Sequence, residues 1–343
     1  MLDIDGSFGE GGGQIVRSAL ALSLLTGKPF RMRNVRARRK PKPGLQPQHL
    51  MSVRAAARIG NAKVTGDSVG SSQFTFLPEM VRPGRYEFKI GTAGATALVL
   101  HTVYLPLALS GGLSEVVIEG GTHNEKAPCF HFLETTWRAY LERMGLQVGL
   151  GMTRPGFYPR GGGRIVAHIQ QPTDLRPVRL TGTVTHQSAS VLSAIAGLPD
   201  HVAKRQARRA TVRLRDAGIE PEVAFEEWEG GPGSVLAITV GGAVPTLFFG
   251  LGARGKPAEA VADEAATEAL AHVRAGLPVD PHSADQLLLP LAVVEGESEY
   301  HVSAVTKHLT TNAAVVRLFL ERLIEIDGEE GASGVVRVRG RAL

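Results

Sequence analysis

The sequence contains very little cysteine. Its 343 residues include only Cys129, which excludes an internal disulfide and a metal cluster built on cysteine ligands. No stretch approaches the roughly 18 to 20 consecutive apolar residues of a membrane-spanning helix. The segment Met1–Asp5 has neither the basic nor the apolar region of a secretory signal. We therefore expect a cytoplasmic protein that does not enter a membrane.

The composition is that of a globular protein with a weakly basic balance. Hydrophobic residues make up 43% and charged residues 21%, and the net charge is +5. This length allows two domains or one large repeat-built domain. One twelve-residue run is basic and contains no acid, which indicates either a polyanionic partner or a solvated basic loop. Its basic residues are Arg31, Arg33, Arg36, Arg38, Arg39, Lys40 and Lys42.

A glycine-rich segment, Phe8–Gln14, follows a short apolar start and precedes a predicted helix over 15–25 that ends at Gly27. Such a loop can cradle a phosphate, but a simple tight turn is an equal alternative because the loop matches neither G-x-G-x-x-G nor G-x-x-x-x-G-K-[ST]. Within it, the Glu10 carboxylate is a candidate ligand for Mg²⁺ or Mn²⁺. Gln14 and Arg17 follow one turn further along.

The segment Thr306–Leu323 carries a histidine at a predicted strand-to-helix corner. Alternation over 300–305 predicts a strand, and the apolar period from Val315 predicts a helix that begins near Asn312, capped by Thr310 or Thr311. His308 would then lie just ahead of the positive end of a helix, where anions bind. Taken alone, one histidine among eleven is more often structural.

The order of predicted elements indicates an α/β (α+β) fold built from three βαβα-like units of about 80 residues. Units one and two occupy 1–176 and unit three occupies 276–343. Residues 177–275 are too long for a connection and form a predicted inserted α/β domain, with a first strand at 178–184. Its basic helix at 204–217 either lines a nucleic-acid path or presents a solvated face with salt links within the helix.

Seven separated motifs occur along the chain, and together they resemble the RNA 3′-terminal phosphate cyclase family. They are G-E-G-G-G-Q-I-V-R at 9–17, R-R-K-P-K-P-G-L with Q-H-L at 38–50, G-T-A-G at 91–94, E-G-G-T at 119–122, F-Y-P-R-G-G-G at 157–163, A-D-Q-L-L-L-P at 284–290 and H-L-T-T-N at 308–312. The resemblance covers the large domain nearly end to end and is weakest over 177–275.

The resemblance implies a fold similar to the enolpyruvyl transferases, with repeated units and a smaller inserted domain. It also implies a ligase-type enzyme that uses ATP to convert an RNA 3′-phosphate into a 2′,3′-cyclic phosphodiester. In this chemistry a histidine takes AMP from ATP, AMP moves to the RNA 3′-phosphate, and the neighbouring 2′-OH displaces it. The expected partners are therefore ATP and RNA with a 3′-phosphate end.

Carried over residue by residue, the resemblance makes His308 the AMP carrier and Glu10 the ligand of Mg²⁺ or Mn²⁺. The positions that would handle phosphates are Arg17, Arg36, Arg39 and Gln48, and those of the nucleotide pocket are Gln14, Pro128, Phe132, Asp285 and Gln286. Three positions depart from the family pattern. Arg38 competes with Arg39 for one role, His101 replaces an expected glutamine, and His282 stands where an aromatic residue would cover the base.

Two other functions compete with this one. A cyclase-like protein without catalysis would serve as an RNA-processing scaffold, but it would not need His308, Glu10, Arg17 and Gln286 together. An enolpyruvyl transferase would share the fold, but it needs no histidine nucleophile and no large insert.

Overall fold

The computed structural model describes residues 1–39, 41–185 and 188–343. Lys40, part of the predicted basic run, and His186 lie outside these ranges. Unit 1 forms a four-stranded sheet in the order β1-β2-β4-β3, in which β1 and β2 are parallel and β4 is antiparallel to both neighbours. Its elements are β1 (Leu2–Asp5), α1 (Gly13–Thr26), β2 (Phe30–Arg33), α2 (Pro47–Ile59), β3 (Lys63–Thr65) and β4 (Phe74–Leu77).

Unit 2 repeats this topology with the sheet order β5-β6-β8-β7. Its second helix is continuous but contains a π-helical turn at Leu133–Trp137. The other elements are β5 (Arg85–Lys89), α3 (Thr96–Ala108), β6 (Ser114–Gly120), α4 (Phe130–Phe132), α5 (Arg138–Arg143), β7 (Val148–Arg154) and β8 (Gly163–Ile169). Two units of the same topology agree with the repeat that the sequence predicts.

After the two-residue strand β9 (Arg179–Leu180), the chain enters the inserted domain. Its sheet has the order β11-β10-β12-β13, with two helices packed on one face over a separate apolar cluster. The elements are β10 (Ala189–Ala196), α6 (Asp200–Arg215), β11 (Pro221–Trp228), β12 (Gly233–Val240), β13 (Thr246–Leu251) and α7 (Ala258–Ala275). Within α6, Lys204 pairs with Asp200, whereas Arg205, Arg209, Arg213 and Arg215 pair with Glu259 and Asp263 of the second helix and with Glu220 after α6. The helix therefore has a salt-linked face, but most of these links join it to other elements and are not intrahelical as predicted.

The chain then completes unit 3 with α8 (Pro281–Val293), β14 (Gly296–Val302), α9 (Lys307–Phe319), β15 (Leu323–Asp327) and β16 (Gly334–Gly340). The prediction that 178–184 is a strand of the insert is wrong, because β9 pairs in parallel with β14 of this sheet. The sheet order β15-β16-β14-β9 makes unit 3 equivalent to the other two. The insert therefore interrupts the first crossover of unit 3.

The predicted start of α9 is also wrong. The helix begins at Lys307, five residues before Asn312, and the hydroxyl of Thr306 caps it by accepting from the main-chain N–H of Leu309 at 3.1 Å. Leu309 is fully buried and extends the apolar face towards the amino terminus. The helix ends at Phe319, so Leu323 begins β15 rather than ending α9.

Residues 250–255 match G-x-G-x-x-G between β13 and α7. This strand is antiparallel to β12, not part of a parallel βαβ unit, and the Lys256 ammonium at the helix start donates to Glu264 and to the carbonyl of Leu251. The match therefore lacks the context of a dinucleotide site.

The helices of all three units pack on one another in a single apolar core, where Phe30 of unit 1 meets Phe319 of unit 3 at 6.0 Å between ring centroids. This packing brings the first turn of α1 next to the first turn of α9. No helix within the described residues is long and apolar enough to cross a membrane.

Candidate active site

His308 lies in the first turn of α9 and faces the first turn of α1. Its Nδ1 is 2.9 Å from Oε1 of Gln14, and the amide nitrogen of Gln14 donates to the carboxylate of Asp285 on α8. In its ionised form the Asp285 carboxylate only accepts, so the Gln14 nitrogen faces Asp285 and its oxygen faces His308. Nδ1 therefore carries the proton. The lone pair lies on Nε2, which bonds to none of the described residues.

The charge state of His308 follows from its surroundings. Partial burial lowers the pKa of the ring, and the charges of Arg17 and Arg39 lower it further, while Glu10 raises it. The positive end of α9 acts in the same direction as the arginines. The net shift is downward, so the ring is neutral near pH 7 and Nε2 is a nucleophile.

Asp285 is half-buried, and burial raises its pKa to about 7, against the opposing charges of Arg17 and His282. Its main-chain carbonyl accepts from the side-chain amide of Asn312 at 2.6 Å, and Asn312 accepts in turn from the hydroxyl of Ser18. These bonds join α8, α9 and α1 around the Gln14 amide. Asp285 is thus held in place as the acceptor that orients Gln14.

The glycine loop is fastened to α9 as well. The main-chain N–H of Glu10 donates to the hydroxyl of Thr311 at 3.0 Å. Gly9 has a φ of +56°, and a Cβ there would lie 2.2 Å from that hydroxyl. Only glycine fits this approach, so the loop must pass directly beside His308.

Glu10 has a side chain that is only 4% exposed. Arg39 donates to its Oε2 and, at 3.0 Å, to its main-chain carbonyl, whereas Oε1 is buried without a hydrogen-bond partner among the described residues. A buried, unsatisfied carboxylate oxygen fits a hard cation such as Mg²⁺ or Mn²⁺. Residues 1–39, 41–185 and 188–343 hold no group of three His, Cys, Asp or Glu side chains that could bind a metal ion by themselves.

The basic run is divided between different partners. Arg39 reaches Glu10, whereas Arg38 is exposed near Asp5, whose pKa is lowered mainly by hydrogen bonds from Ser7 and less by Arg38. The Arg36 guanidinium turns back to the carbonyls of residues 42 and 44, at 2.9 and 3.0 Å. Arg39 is thus the arginine that lies at the site, and Arg36 shapes the loop.

Arg17 and His49 lie side by side behind the glycine loop. Burial lowers the pKa of Arg17 to about 10 against the favourable charges of Glu10 and Asp285. Burial also lowers the pKa of His49 to about 3, with Arg17 and Arg36 adding to the shift. His49 Nδ1 accepts from the main-chain N–H of Gln46 at 3.2 Å, which makes it a cap of α2.

A cleft opens beside the Gln14–Asp285 pair and ends against aromatic side chains. Its lining combines four of the predicted site residues with others that the sequence does not single out as a group. The lining residues are Gln14, Arg17, Ser18, His101, Tyr104, Trp137, Asp285, Gln286, Leu289 and Asn312. Pro128 and Phe132 do not belong to this lining, and Phe132 is buried in the core.

The chain matches a known protein family over the part of the sequence that forms this site. A model of the family described as RNA 3′-terminal phosphate cyclase matches residues 8–326, a range that contains the loop, the cleft and the histidine. The chain belongs to the RNA 3′-terminal phosphate cyclase family. The family and the class of enzyme that the motifs predict are thereby confirmed.

Several proteins named RNA 3′-terminal phosphate cyclase are similar to this chain over nearly their full length. The one from Ectopseudomonas mendocina is 43% identical over 99% of this chain and 98% of its own. Those from Caldivirga maquilingensis and Methanopyrus kandleri are 44% and 40% identical and cover 95% and 99% of this chain. Among solved structures, the enolpyruvyl transferase NikO from Streptomyces tendae matches with a TM-score of 0.40 and 12% identity, over 99% of this chain and 48% of that one.

The structure shows the contacts of two residues that depart from the cyclase family pattern, His101 and His282. His101 lines the cleft, its ring centroid 5.1 Å from that of Trp137, and its Nε2 has no hydrogen-bond partner in the described part of the chain. Burial lowers the pKa of His101 to about 3. The exposed ring of His282 lies 3.2 Å from Glu268, and this contact raises its pKa to about 9.

Gln48, another position of the cyclase family pattern, lies away from Glu10 and His308. Its Oε1 accepts from the main-chain N–H of Ala95 at 3.0 Å, at the start of α3. Gln48 therefore joins the first turn of α2, in unit 1, to the amino terminus of α3, in unit 2. The sequence places these residues at separate corners, and only the packing of the units shows that the corners are neighbours.

Proposed function

We propose that the protein converts the 3′-terminal phosphate of RNA into a 2′,3′-cyclic phosphodiester, with ATP as co-substrate and a histidine–AMP intermediate on His308. The observation that carries the proposal is the position of Nε2. Nε2 belongs to a neutral ring in the first turn of a helix and bonds to none of the described residues, while Nδ1–H is held by Gln14, which Asp285 orients. The alternative, an inactive scaffold, would have no use for this arrangement.

In the first step, Nε2 of His308 attacks the α-phosphorus of ATP, a P–N bond forms, and pyrophosphate leaves. The ring becomes cationic because it keeps its proton on Nδ1. The Gln14 oxygen, polarised by Asp285, accepts from that proton and stabilises the positive charge. The free N–H groups at the start of α9 are placed to bind phosphate oxygens.

In the second step, an oxygen of the RNA 3′-phosphate attacks the same phosphorus and the P–N bond breaks, which returns His308 to its neutral form. The 2′-oxygen then attacks the 3′-phosphorus, so that AMP leaves and a proton is released. Arg39 lies beside Glu10 and is the residue best placed to bind the incoming phosphate. Arg17 lies behind it as a buried positive charge.

We assign Glu10 to a divalent cation because its Oε1 is buried and unsatisfied. The ion would neutralise the phosphate charge and make pyrophosphate a better leaving group. We assign the nucleotide to the cleft beside Gln14, Asp285 and Gln286, because the Gln286 Oε1 in the cleft is an acceptor without a partner among the described residues. The geometry adds no support to the roles predicted for Pro128, Phe132, Arg36 and Gln48, which stay predictions, as does the cytoplasmic location.

The test is incubation with α-labelled ATP and a divalent metal. The wild-type protein should acquire an acid-labile, alkali-stable label, and His308→Ala should acquire none. His201→Ala, which removes an exposed histidine on α6, is the matched control and should label normally. Labelling of His308→Ala would refute the assignment. RNA binding without any wild-type label would favour the scaffold.

A further inference from the structure

Tyr158 is an exposed aromatic side chain on a firmly held loop. Its side chain is 80% exposed, although its neighbour Phe157 is buried and stacks on His123, 4.9 Å away between ring centroids. The main-chain N–H of Gly161 donates to the carbonyl of Phe157 at 2.7 Å. The loop backbone is thus fixed on both sides of Tyr158, while the ring itself points into water.

The same loop adjoins the turn that leads into α3. Gly161 has a φ of +65°, and a Cβ there would lie 2.7 Å from the Cα of Ala93. Two residues further on, Ala95 donates to Gln48 at the start of α2, and the next residue, His49, packs against Gly13 of the active-site loop. A continuous series of contacts therefore connects the Tyr158 loop with the candidate active site.

Two exposed arginines, one on each side of Tyr158 in sequence, belong to the hairpin of β7 and β8. Arg160 is exposed, and its Nη1 is 3.3 Å from the carbonyl of Gly231 in the inserted domain. Arg154 is also exposed and donates to the carbonyl of Gly162. Exposed aromatic rings next to arginines are the combination that binds single-stranded nucleic acid, since the ring stacks on a base and the cations attract the backbone.

We propose that Tyr158 is a stacking platform for an unpaired base of the RNA, at least one nucleotide upstream of the 3′-phosphate, with Arg160 beside the adjoining backbone. The proposal rests on the proposed function, which places the 3′-phosphate near Arg39. It adds a second binding subsite on the far side of the α2–α3 contact. Because every base has a flat face, this subsite selects unpaired RNA without selecting a sequence.

The experiment compares a ten-nucleotide single-stranded RNA 3′-phosphate with a nucleoside 3′-phosphate as substrates. For Tyr158→Ala, the KM for the ten-nucleotide RNA should rise about 5- to 100-fold, with kcat unchanged. The nucleoside 3′-phosphate and the labelling of His308 by ATP should be unaffected. Tyr158→Trp should retain the wild-type KM. Phe225→Ala, which removes a ring 54% exposed on the inserted domain, is the matched control.

Equal KM values of Tyr158→Ala and wild type for the ten-nucleotide RNA would overturn the stacking proposal, and so would equal losses on both substrates. A failure of the proposed function looks different, since the wild-type protein would then form no cyclic product. In that case RNA binding is measured directly, by the fluorescence anisotropy of the labelled ten-nucleotide RNA, and this measurement tests the stacking proposal. Weaker binding by Tyr158→Ala than by Phe225→Ala supports the platform, and equal binding refutes it.

Discussion

At the scale of single residues, one amide sets the chemistry of the site. Gln14 accepts from His308 and donates to Asp285, so its orientation decides which imidazole nitrogen is nucleophilic. A side chain of the same length without hydrogen bonds would leave the ring free to rotate and to exchange tautomers.

Gln14→Met should therefore slow the labelling of His308 by ATP roughly 10- to 100-fold, the usual effect of losing a hydrogen-bond partner that orients a functional histidine. The measurement is the single-turnover rate of His308–AMP formation. Gln73→Met, on an exposed segment of unit 1, is the matched control. A rate equal to that of wild type would show that the Gln14 contact does not orient the ring.

The two neighbouring arginines, Arg38 and Arg39, differ in their partners. Arg39→Ala should lower kcat/KM for RNA by about 100-fold, as expected when a preorganised charge at a phosphate is removed. Arg38→Ala, which removes an exposed charge near Asp5, should change kcat/KM by less than about threefold. Steady-state cyclisation assays measure both, and similar losses in the two variants would contradict the assignment of Arg39.

At the scale of elements, the start of α9 decides where His308 lies. The sequence has three threonines that could cap this helix, Thr306, Thr310 and Thr311, and the apolar period alone favours the later two. In the structure Thr306 is the cap, Thr310 bonds to the carbonyl of Lys307 on the surface, and Thr311 holds the glycine loop. The earlier start places His308 inside the first turn, where its ring reaches Gln14.

Thr306→Ala should therefore lower the free energy of unfolding by about 1 kcal/mol, the usual value of an N-cap hydroxyl. Thr310→Ala, an exposed threonine in the same turn, should change it by less than about 0.5 kcal/mol. Urea denaturation followed by far-ultraviolet circular dichroism measures both values. A larger loss of stability in Thr310→Ala than in Thr306→Ala would contradict Thr306 as the cap and support a helix start near Asn312.

At the scale of the whole molecule, the inserted domain docks on unit 2 through stacked rings. Trp228 of the insert stacks on His131, 5.6 Å away, and His131 bonds to His123 at 3.1 Å. Burial lowers the pKa of His131 to about 4 and also lowers that of His123, with His131 adding to the shift. The docking surface thus contains two neutral histidines that acid would charge.

This arrangement predicts a loss of stability on acidification. An unfolded histidine binds a proton below about pH 6.5, whereas folded His131 does so only near pH 4. Between these values the unfolded state binds more protons than the folded state. The free energy of unfolding therefore decreases as the pH is lowered through this range. Each such histidine should contribute about 1.4 kcal/mol per pH unit. His131→Gln should reduce this slope by about that amount in urea titrations between pH 6.5 and 4.5.

The control is His201→Gln, which removes an exposed histidine of the inserted domain and should keep the wild-type slope. The comparison uses the slope and not the stability at one pH, since His131→Gln also removes ring contacts. An unchanged slope in His131→Gln would show that His131 is not the buried neutral group described here.

The sequence by itself determined what is local or carried by motif. The glycine loop, the helices of each unit and the existence of an insert follow from periodicity and spacing, whereas the family follows from the resemblance that the seven motifs carry. Side-chain periodicity shows which face of an element is buried, but it does not show which other element covers that face. For this reason the membership of β9 in the third sheet, the cap of α9 and the place of the insert were not predictable.

Only the tertiary structure decided how the site works. His308 and Gln14 are 294 residues apart in sequence, and Asp285 comes from a third helix, so their hydrogen bonds exist only after the units pack together. The same packing brings His101 and Trp137 of unit 2 into one cleft with Gln14 of unit 1 and Asp285 of unit 3. The residue types were visible in the sequence, but proton positions and charge states depend on burial and on partners that the fold alone brings together.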